Sequence, residues 1–171
     1  MLAFPSGKGD KLSFVFRQDG SLPRIFVQQQ SAKAQSRVGS HDRLWWQCDQ
    51  WTHVALVWKG SGPRQTWAIY VNGRGGGRIL NAQANLPLNL LDVQAILIGS
   101  DPDSGPALDG VIDDLRISFV ARYDGTSITP PKKIEVDEHT LVYFTFEGSA
   151  TGVGPGGKKV EATFADRPAG K

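Results

Sequence analysis

The chain has 171 residues, 40% of them hydrophobic, and a formal net charge of +2. That length fits a single domain with a sizeable core. The near balance of charge lacks the concentrated basic face that nucleic acid requires, and no apolar run is long enough to insert in a membrane. Cys48 is the one cysteine, so no intrachain disulfide can form; its thiol reads as a small buried apolar group. The start, Met1-Leu2-Ala3-Phe4-Pro5, has neither the basic residues nor the apolar stretch of a signal peptide. The sequence alone leaves open an intracellular protein or a piece of a larger exported one.

In chain order, Leu12, Phe14 and Phe16 alternate with Ser13, Val15 and Arg17, the period of a half-buried strand. Gln18-Asp19-Gly20-Ser21 supplies turn chemistry, and Arg24 to Gln30 reads as the returning strand of a hairpin. The polar stretch from there to Ser40 reads as an edge strand or a loop. Trp51 to Trp58 is apolar on both faces, with Trp51, Ala55 and Val57 on one side and Val54, Leu56 and Trp58 on the other, as in a strand covered twice. Trp67 to Val71 is the next strand. It runs into Asn72-Gly73, a strong signal for a type I′ turn because both central residues want positive φ. Arg74-Gly75-Gly76-Gly77-Arg78 reads as a lengthened, flexible hairpin tip, after which Ile79-Leu80 returns.

Leu86 to Leu91 is apolar but broken by Pro87, and reads as a connection across the core. Ala95 to Gly99 is a short strand, Asp101 to Pro106 a polar loop, and Gly110 to Phe119 a long strand. Leu141 to Glu147 alternates cleanly, with Val142, Phe144 and Phe146 facing one way. After Gly148 the chain turns glycine-rich, recovers a short apolar segment at Val160 to Phe164, and ends in a polar tail. No segment of useful length has helical period, and no internal repeat is found. These features predict an all-β fold, a two-sheet antiparallel β-sandwich over residues 1–147, followed by a glycine-rich segment over 148–171 with a final strand near 160–164 and a mobile tail.

The pattern Trp51-x-His53-x-Ala55, then Ile69-Tyr70-Val71-Asn72-Gly73, Ile98-Gly99 and Leu108-Asp109-Gly110-Val111-Ile112-Asp113-Asp114-Leu115-Arg116-Ile117 resembles the laminin-G-like jelly rolls. These belong with the concanavalin A-like lectins and glucanases. Ala121-Arg122-Tyr123 and Thr129-Pro130-Pro131 are similar to the bacterial and phage branch of that group. The resemblance implies a jelly roll, a carbohydrate- or glycoconjugate-binding role, and an extracellular or cell-surface setting within a larger protein. Such domains open with a strand carrying a Phe-Asp-Gly-like motif and a second ending in Trp. Neither is found here, which implies a chain that starts near the third strand, or one in which the Val160–Phe164 segment replaces the missing strands. An edge left open in this way could pair with a second copy or a protein partner.

Several residues are candidates for chemistry. By strand alternation Asp113 shares a face with Val111, Leu115, Ile117 and Phe119, and a carboxylate on an apolar face must be paired, hydrogen-bonded or metal-bound. In the resembled family the matching aspartate often lies at a structural calcium site, which makes calcium a candidate cofactor. Asp101, Asp103 and Asp109 form a second set of oxygen donors suited to calcium; the alternative is a solvated turn with Asp chosen for its geometry. Trp45, Trp46, Trp58, Trp67 and Tyr123 are candidate sugar platforms, because pyranose rings stack their C–H faces on aromatic rings. Trp51 and Trp67 read as core. The Trp45-Trp46 pair splits across two faces if extended, which exposes one ring, and Arg74 and Arg78 are placed to touch an anionic glycan.

His53 reads as a core histidine, and His41 and His139 have no partners at metal-ligand spacing. Glucanases on related sandwiches use a Glu-x-Asp-x-x-Glu strand, which is absent here. Asp113 and Asp114 are adjacent and would point to opposite faces of a strand. Glu135, Asp137 and Glu138 read as a solvated acidic run. The sequence therefore points to a non-catalytic binding module with calcium as a candidate cofactor, or to a structural or protein-interaction module without sugar specificity.

Overall fold

The computed structural model of the protein describes residues 2–5, 11–19, 22–30, 35–39, 49–59, 66–80, 95–99 and 110–163. The expectations for Trp45, Trp46, Cys48, Asp101, Asp103 and Asp109 lie outside these residues. The backbone of Trp67 and Arg78 is described and their side chains are not. Every described strand pairs antiparallel, and no α-helix occurs among the described residues. The chain divides into two compact units, one formed by Met1–Asp109 with Tyr123–Pro130, the other by Gly110–Arg122 with Pro131–Lys171.

The strands of the first unit, in chain order, are β1 (Leu2–Pro5), β2 (Lys11–Asp19), β3 (Leu22–Gln30), β4 (Gln35–Gly39), β5 (Val54–Lys59), β6 (Thr66–Val71), β7 (Arg74–Leu80) and β8 (Leu97–Ile98). They form two antiparallel sheets, as the sandwich reading expects: a five-stranded sheet in the order β4-β3-β2-β1-β8 and a three-stranded sheet β5-β6-β7. The β2–β3 hairpin is in the expected place, with Asp19 opposite Leu22, and the polar stretch after Gln30 yields the edge strand β4. Strand β1, too short to show a period, pairs with both β2 and β8 and ends on Pro5, where a missing N–H donor costs least.

Two expectations for this unit change. Ser13 is 1% exposed and Lys11 is also buried, so β2 is not polar and solvated on their face. It lies inside the sheet between β1 and β3, where both faces can be covered. Trp51 precedes β5 instead of joining it, and is 71% exposed instead of core. The strand begins only at Val54, so the alternation that would have turned Trp51 inward does not reach it.

The three-stranded sheet is packed on both faces, as the sequence of β5 predicts. On one face Ile69 and Val71 pack with Val54 and Leu56. On the other Ala55, Val57 and Tyr70 pack with Ala68, Tyr123 and Ile128. Each fully buried side chain of this size contributes about 1.5–3 kcal/mol, so these clusters anchor the sheet. Tyr70 is 1% exposed, and its phenol donates to the carbonyl of Gly125 at 2.9 Å, which removes the penalty of burying the hydroxyl.

The second unit holds β9 (Leu115–Ser118), β10 (Thr140–Phe144), β11 (Thr151–Val153) and β12 (Lys159–Glu161) in the order β12-β11-β10-β9. Alternation in β10 is as expected: Val142 and Phe144 are buried while Leu141 is exposed. The strand stops before Phe146, whose φ is positive and whose ring stacks on Phe144 at 5.4 Å. The glycine-rich stretch is not only turn. It carries β11, and the 3-10 turn Pro155–Gly157 leads into β12. Gly152 is required there, because a Cβ at this position would lie 2.6 Å from the Phe144 ring and from the Tyr143 carbonyl. The Val160 segment pairs with β11, so it does not replace an opening strand of the five-stranded sheet.

Candidate functional site

Three exposed residues of the first unit, Trp51, Asn72 and Arg74, lie at one end of β5-β6-β7. Asn72 and Gly73 have φ of 49° and 81°, the left-handed pair of a type I′ turn, and join β6 to β7 directly. Arg74 therefore begins a strand. The expected flexible tip over Arg74–Arg78 is instead β7, paired from Arg74 opposite Val71 to Leu80 opposite Thr66. Another segment lies against the turn residue Gly73 and the strand residue Gly75. Ile128 donates its N–H to the Gly73 carbonyl at 2.7 Å, and Gly75 donates to the Thr126 carbonyl at 3.0 Å. Cβ atoms at Gly73 and Gly75 would approach the Ile128 and Thr126 carbonyl oxygens to 2.2 and 2.6 Å. Residues Tyr123–Pro130 thus form a strap along the start of β7, tied further by the Lys59–Asp124 ion pair at 2.9 Å.

The lead into β5 is fixed to the same turn. Asn72 donates its N–H to the His53 carbonyl at 2.8 Å, and the Asn72 side-chain oxygen accepts from the His53 N–H at 3.0 Å. The His53 ring meets the Tyr123 ring edge-on at 6.3 Å, and Tyr123 meets Tyr70 at 6.1 Å. Trp51 therefore stands exposed two residues from a pinned backbone position. Val54 pairs with Val71, and Val71 with Arg74. Neighbouring strands lie about 4.8 Å apart, so that row spans about 10 Å. Trp51, Asn72 and Arg74 are all exposed at this end. Among the described residues no hydrogen bond or ion pair engages the Arg74 guanidinium.

The expected ligand residues separate on this frame. Arg74 is exposed at the turn. Tyr123 is half-buried, on the face of the sheet that carries Ala55 and Tyr70. The backbone of Arg74 lies opposite Val71 and that of Arg78 opposite Ala68.

In the second unit, Asp113 is not on an apolar face. It is exposed, as is Val111 at 79%, and β9 begins only at Leu115 because Asp114 has φ of 48° and breaks the strand. Phe119, placed on the same face by alternation, falls after β9 and is 62% exposed. The Asp113 side chain accepts from the Asp114 N–H at 2.9 Å. Asp114 accepts from the Tyr143 phenol at 2.7 Å. Desolvation, reinforced by that hydrogen bond and the two carboxylates, pushes the Tyr143 phenol up to about 12. Among the described residues no three His, Cys, Asp or Glu side chains gather.

Asp137 is not a freely solvated member of an acidic run. Arg122 grips both of its oxygens through its two terminal nitrogens, one at 2.6 Å, and also donates from Nε to Ser118 at 3.1 Å. Asp137 further accepts from the His139 N–H and the Thr140 hydroxyl. The Arg122 hydrogen bonds, with help from Thr140 and His139, hold its carboxyl well below the usual carboxylate range. With both oxygens engaged, this group closes the turn into β10. The Asp-x-x-Thr spacing was the sequence signal that could have marked it. No comparable signal marked Trp51 as exposed, since periodicity extends through it.

In the comparison with family models, one described as concanavalin A-like lectin/glucanases superfamily, of laminin G type, matches residues 1–126. No curated protein and no solved structure matches the chain. The matched span includes the type I′ turn, Trp51, Arg74 and Tyr123, and the chain belongs to this laminin-G-like family of the concanavalin A-like superfamily.

Proposed function

We propose that the chain is a non-catalytic module that binds a carbohydrate or glycoconjugate, carried outside the cell or at its surface as part of a larger protein. The observation behind this reading is the turn end of β5-β6-β7, where Trp51 is 71% exposed on a backbone pinned by the Asn72–His53 hydrogen bonds. An exposed indole two residues from a braced backbone position offers a flat apolar surface that suits the C–H face of a sugar. Family membership supports a binding sandwich, and none of the described carboxylates forms the single-strand trio that related glucanases use.

A glycan array probed with the full chain tests the reading. Binding to a defined set of glycans supports it, and a blank array with a folded protein removes it. Calcium is a separate proposal, resting on oxygen donors either at Asp113 or in the loop that carries Asp101, Asp103 and Asp109. A calcium-dependent rise in melting temperature supports it, and identical melting in chelator removes it.

One observation favours the alternative of a protein-interaction module. In the second unit Val111, Phe119, Val120, Val136 and Leu141 are all exposed. Self-association or capture of a protein with no glycan binding would turn the assignment to that role.

A further inference from the structure

We infer that Asp124-Gly125, within the strap, is a site of spontaneous modification, where the backbone rearranges through a succinimide to isoaspartate. A glycine after Asp or Asn makes the pair labile, because its amide nitrogen has no side chain to crowd the attack. Asn72-Gly73 and Asp124-Gly125 are both such pairs. By chemistry alone Asn72 ranks first, since a carboxamide cyclises more readily than a carboxylate. The structure reverses that order. The Asn72 side-chain oxygen is turned to the His53 N–H at 3.0 Å, and the Asn72 N–H donates to the His53 carbonyl. Gly73 is buried, and the strap lies so close that a Cβ there would come within 2.2 Å of the Ile128 carbonyl oxygen. Ring closure at Asn72 must break those bonds and swing the Gly73 peptide into the strap.

Asp124-Gly125 is arranged for the reaction. The Asp124 side chain is 86% exposed, and a Cβ added at Gly125 would meet a single atom, 4.0 Å away. Asp124 Oδ1 accepts from the Gly125 N–H at 2.9 Å, while Lys59 holds Oδ2 at 2.9 Å. Carboxyl and amide nitrogen therefore lie side by side, the proximity that speeds an intramolecular attack. The carboxylate takes a proton from water. The Gly125 nitrogen then gives up its proton and bonds to Cγ, and the carboxyl hydroxyl leaves with that proton as water. Water re-enters at either ring carbonyl and the added proton returns to solvent. Opening at Cγ restores aspartate, and opening at the backbone carbonyl leaves the chain running through Cγ, with no co-reactant and no change of mass. Isoaspartate adds one carbon to the strap backbone and displaces the Gly125 carbonyl from the buried Tyr70 phenol, which loosens the strap. Asp113 makes the same contact with the Asp114 N–H at 2.9 Å, but Asp114 carries a side chain anchored to Tyr143, so that pair reacts more slowly.

The test incubates the full chain at physiological temperature and neutral pH, folded and in urea. Peptide mapping by electron-transfer fragmentation separates isoaspartate from aspartate at equal mass. Isoaspartate is expected at position 124 ahead of position 113, and at least as fast in the folded chain as in urea. Asn72 is expected to deamidate about 100-fold more slowly folded than in urea, the penalty for reacting atoms held about 1 Å out of line. Asp124→Asn puts the same chemistry at both pairs, and its introduced carboxamide is expected to be lost before that of Asn72. Loss at Asn72 first in that folded variant overturns the inference. So does isomerisation at position 124 that is slower folded than in urea, or no faster than at position 113. The isomerised form, separated by chromatography, should melt at a lower temperature and exchange its Ile128 amide faster. Identical melting and exchange overturns the consequence for the strap.

Discussion

Replacing Gly73 with alanine should be one of the most damaging single-methyl changes in the first unit. The position has φ of 81°, where an L side chain costs about 1–2 kcal/mol. The added Cβ would lie 2.2 Å from the Ile128 carbonyl oxygen and 2.9 Å from the Pro130 ring. Neither obstacle is a flexible side-chain end, so the strap must retreat by more than about 1 Å to reach ordinary contact. Retreat breaks the Ile128 N–H bond to the Gly73 carbonyl, worth about 1 kcal/mol net, and loosens Ile128 and Tyr123 from the Ala55–Val57–Tyr70 cluster, about 1 kcal/mol more. Alanine also narrows the unfolded ensemble, returning about 0.5 kcal/mol. The expected loss is therefore about 3 kcal/mol.

Gly125→Ala is the matched control. Gly125 has φ of 87° with only one atom, 4.0 Å away, near its added Cβ, and should lose only the backbone term, about 1 kcal/mol. Urea unfolding with matched m-values measures both, and amide exchange at Ile128 should accelerate only in Gly73→Ala. Losses for the two variants within about 0.5 kcal/mol of each other would refute the strap as the reason for glycine at this turn.

Three further outcomes concern the second unit. Gly152→Ala should destabilise by about 2 kcal/mol through overpacking against Phe144, whereas Gly156→Ala, whose Cβ meets nothing within 4 Å, should lose less; denaturant midpoints compare them. Asp137 has a depressed folded pKa, so its contribution is present above the ordinary carboxylate range and is lost as pH falls below about 4 toward the folded value. Asp137→Asn should abolish that part of the acid sensitivity, read as a flatter stability curve between pH 5 and pH 2. Tyr143, raised to about 12, contributes stability that is present below about 10 and lost as pH rises through its folded value. Asp114→Asn should bring its ultraviolet titration back toward the ordinary range.

The parts of this fold legible from sequence are those in which local period and tertiary burial agree. Strand β10 follows its alternation, β5 its apolar pattern on both faces, and Asn72-Gly73 announces its turn by backbone preference alone. Two failures occur where a single residue enters the left-handed region. Positive φ at Asp114 and Phe146 cuts short two runs whose side-chain pattern continues past the break. The first cut exposes Asp113, which alternation would have turned inward, while Trp51 is exposed ahead of β5, which begins only at Val54. The glycines of β7 and β11 were opaque for another reason. Their role is set by what lies over them, the Ile128 and Thr126 carbonyls and the Phe144 ring, and those neighbours come from distant sequence. Asp137 was legible in principle, since its partner Thr140 is three residues away, but Arg122 is fifteen residues away and gives no local signal.

The position of the candidate site follows from how the three-stranded sheet is filled. Both of its faces are committed to apolar packing, one by Val54, Leu56, Ile69 and Val71, the other by Ala55, Val57, Tyr70, Tyr123 and Ile128. Opening either face to a sugar would expose core and forfeit about 1.5–3 kcal/mol per large side chain. On the proposed reading, recognition therefore belongs at an end of the sheet, where turn residues already meet water. The Asn72-Gly73 end is the suitable one among the described residues because it is braced twice, by the Asn72–His53 pair and by the strap on Gly73 and Gly75. Bracing of this kind gives Trp51 and Arg74 fixed bases on opposite edges of the same sheet. If the proposed carbohydrate-binding reading holds, the contacts that forbid a methyl group at Gly73 also brace the candidate site, so Gly73→Ala is expected to weaken glycan binding along with stability, whereas Gly125→Ala is expected to leave binding intact.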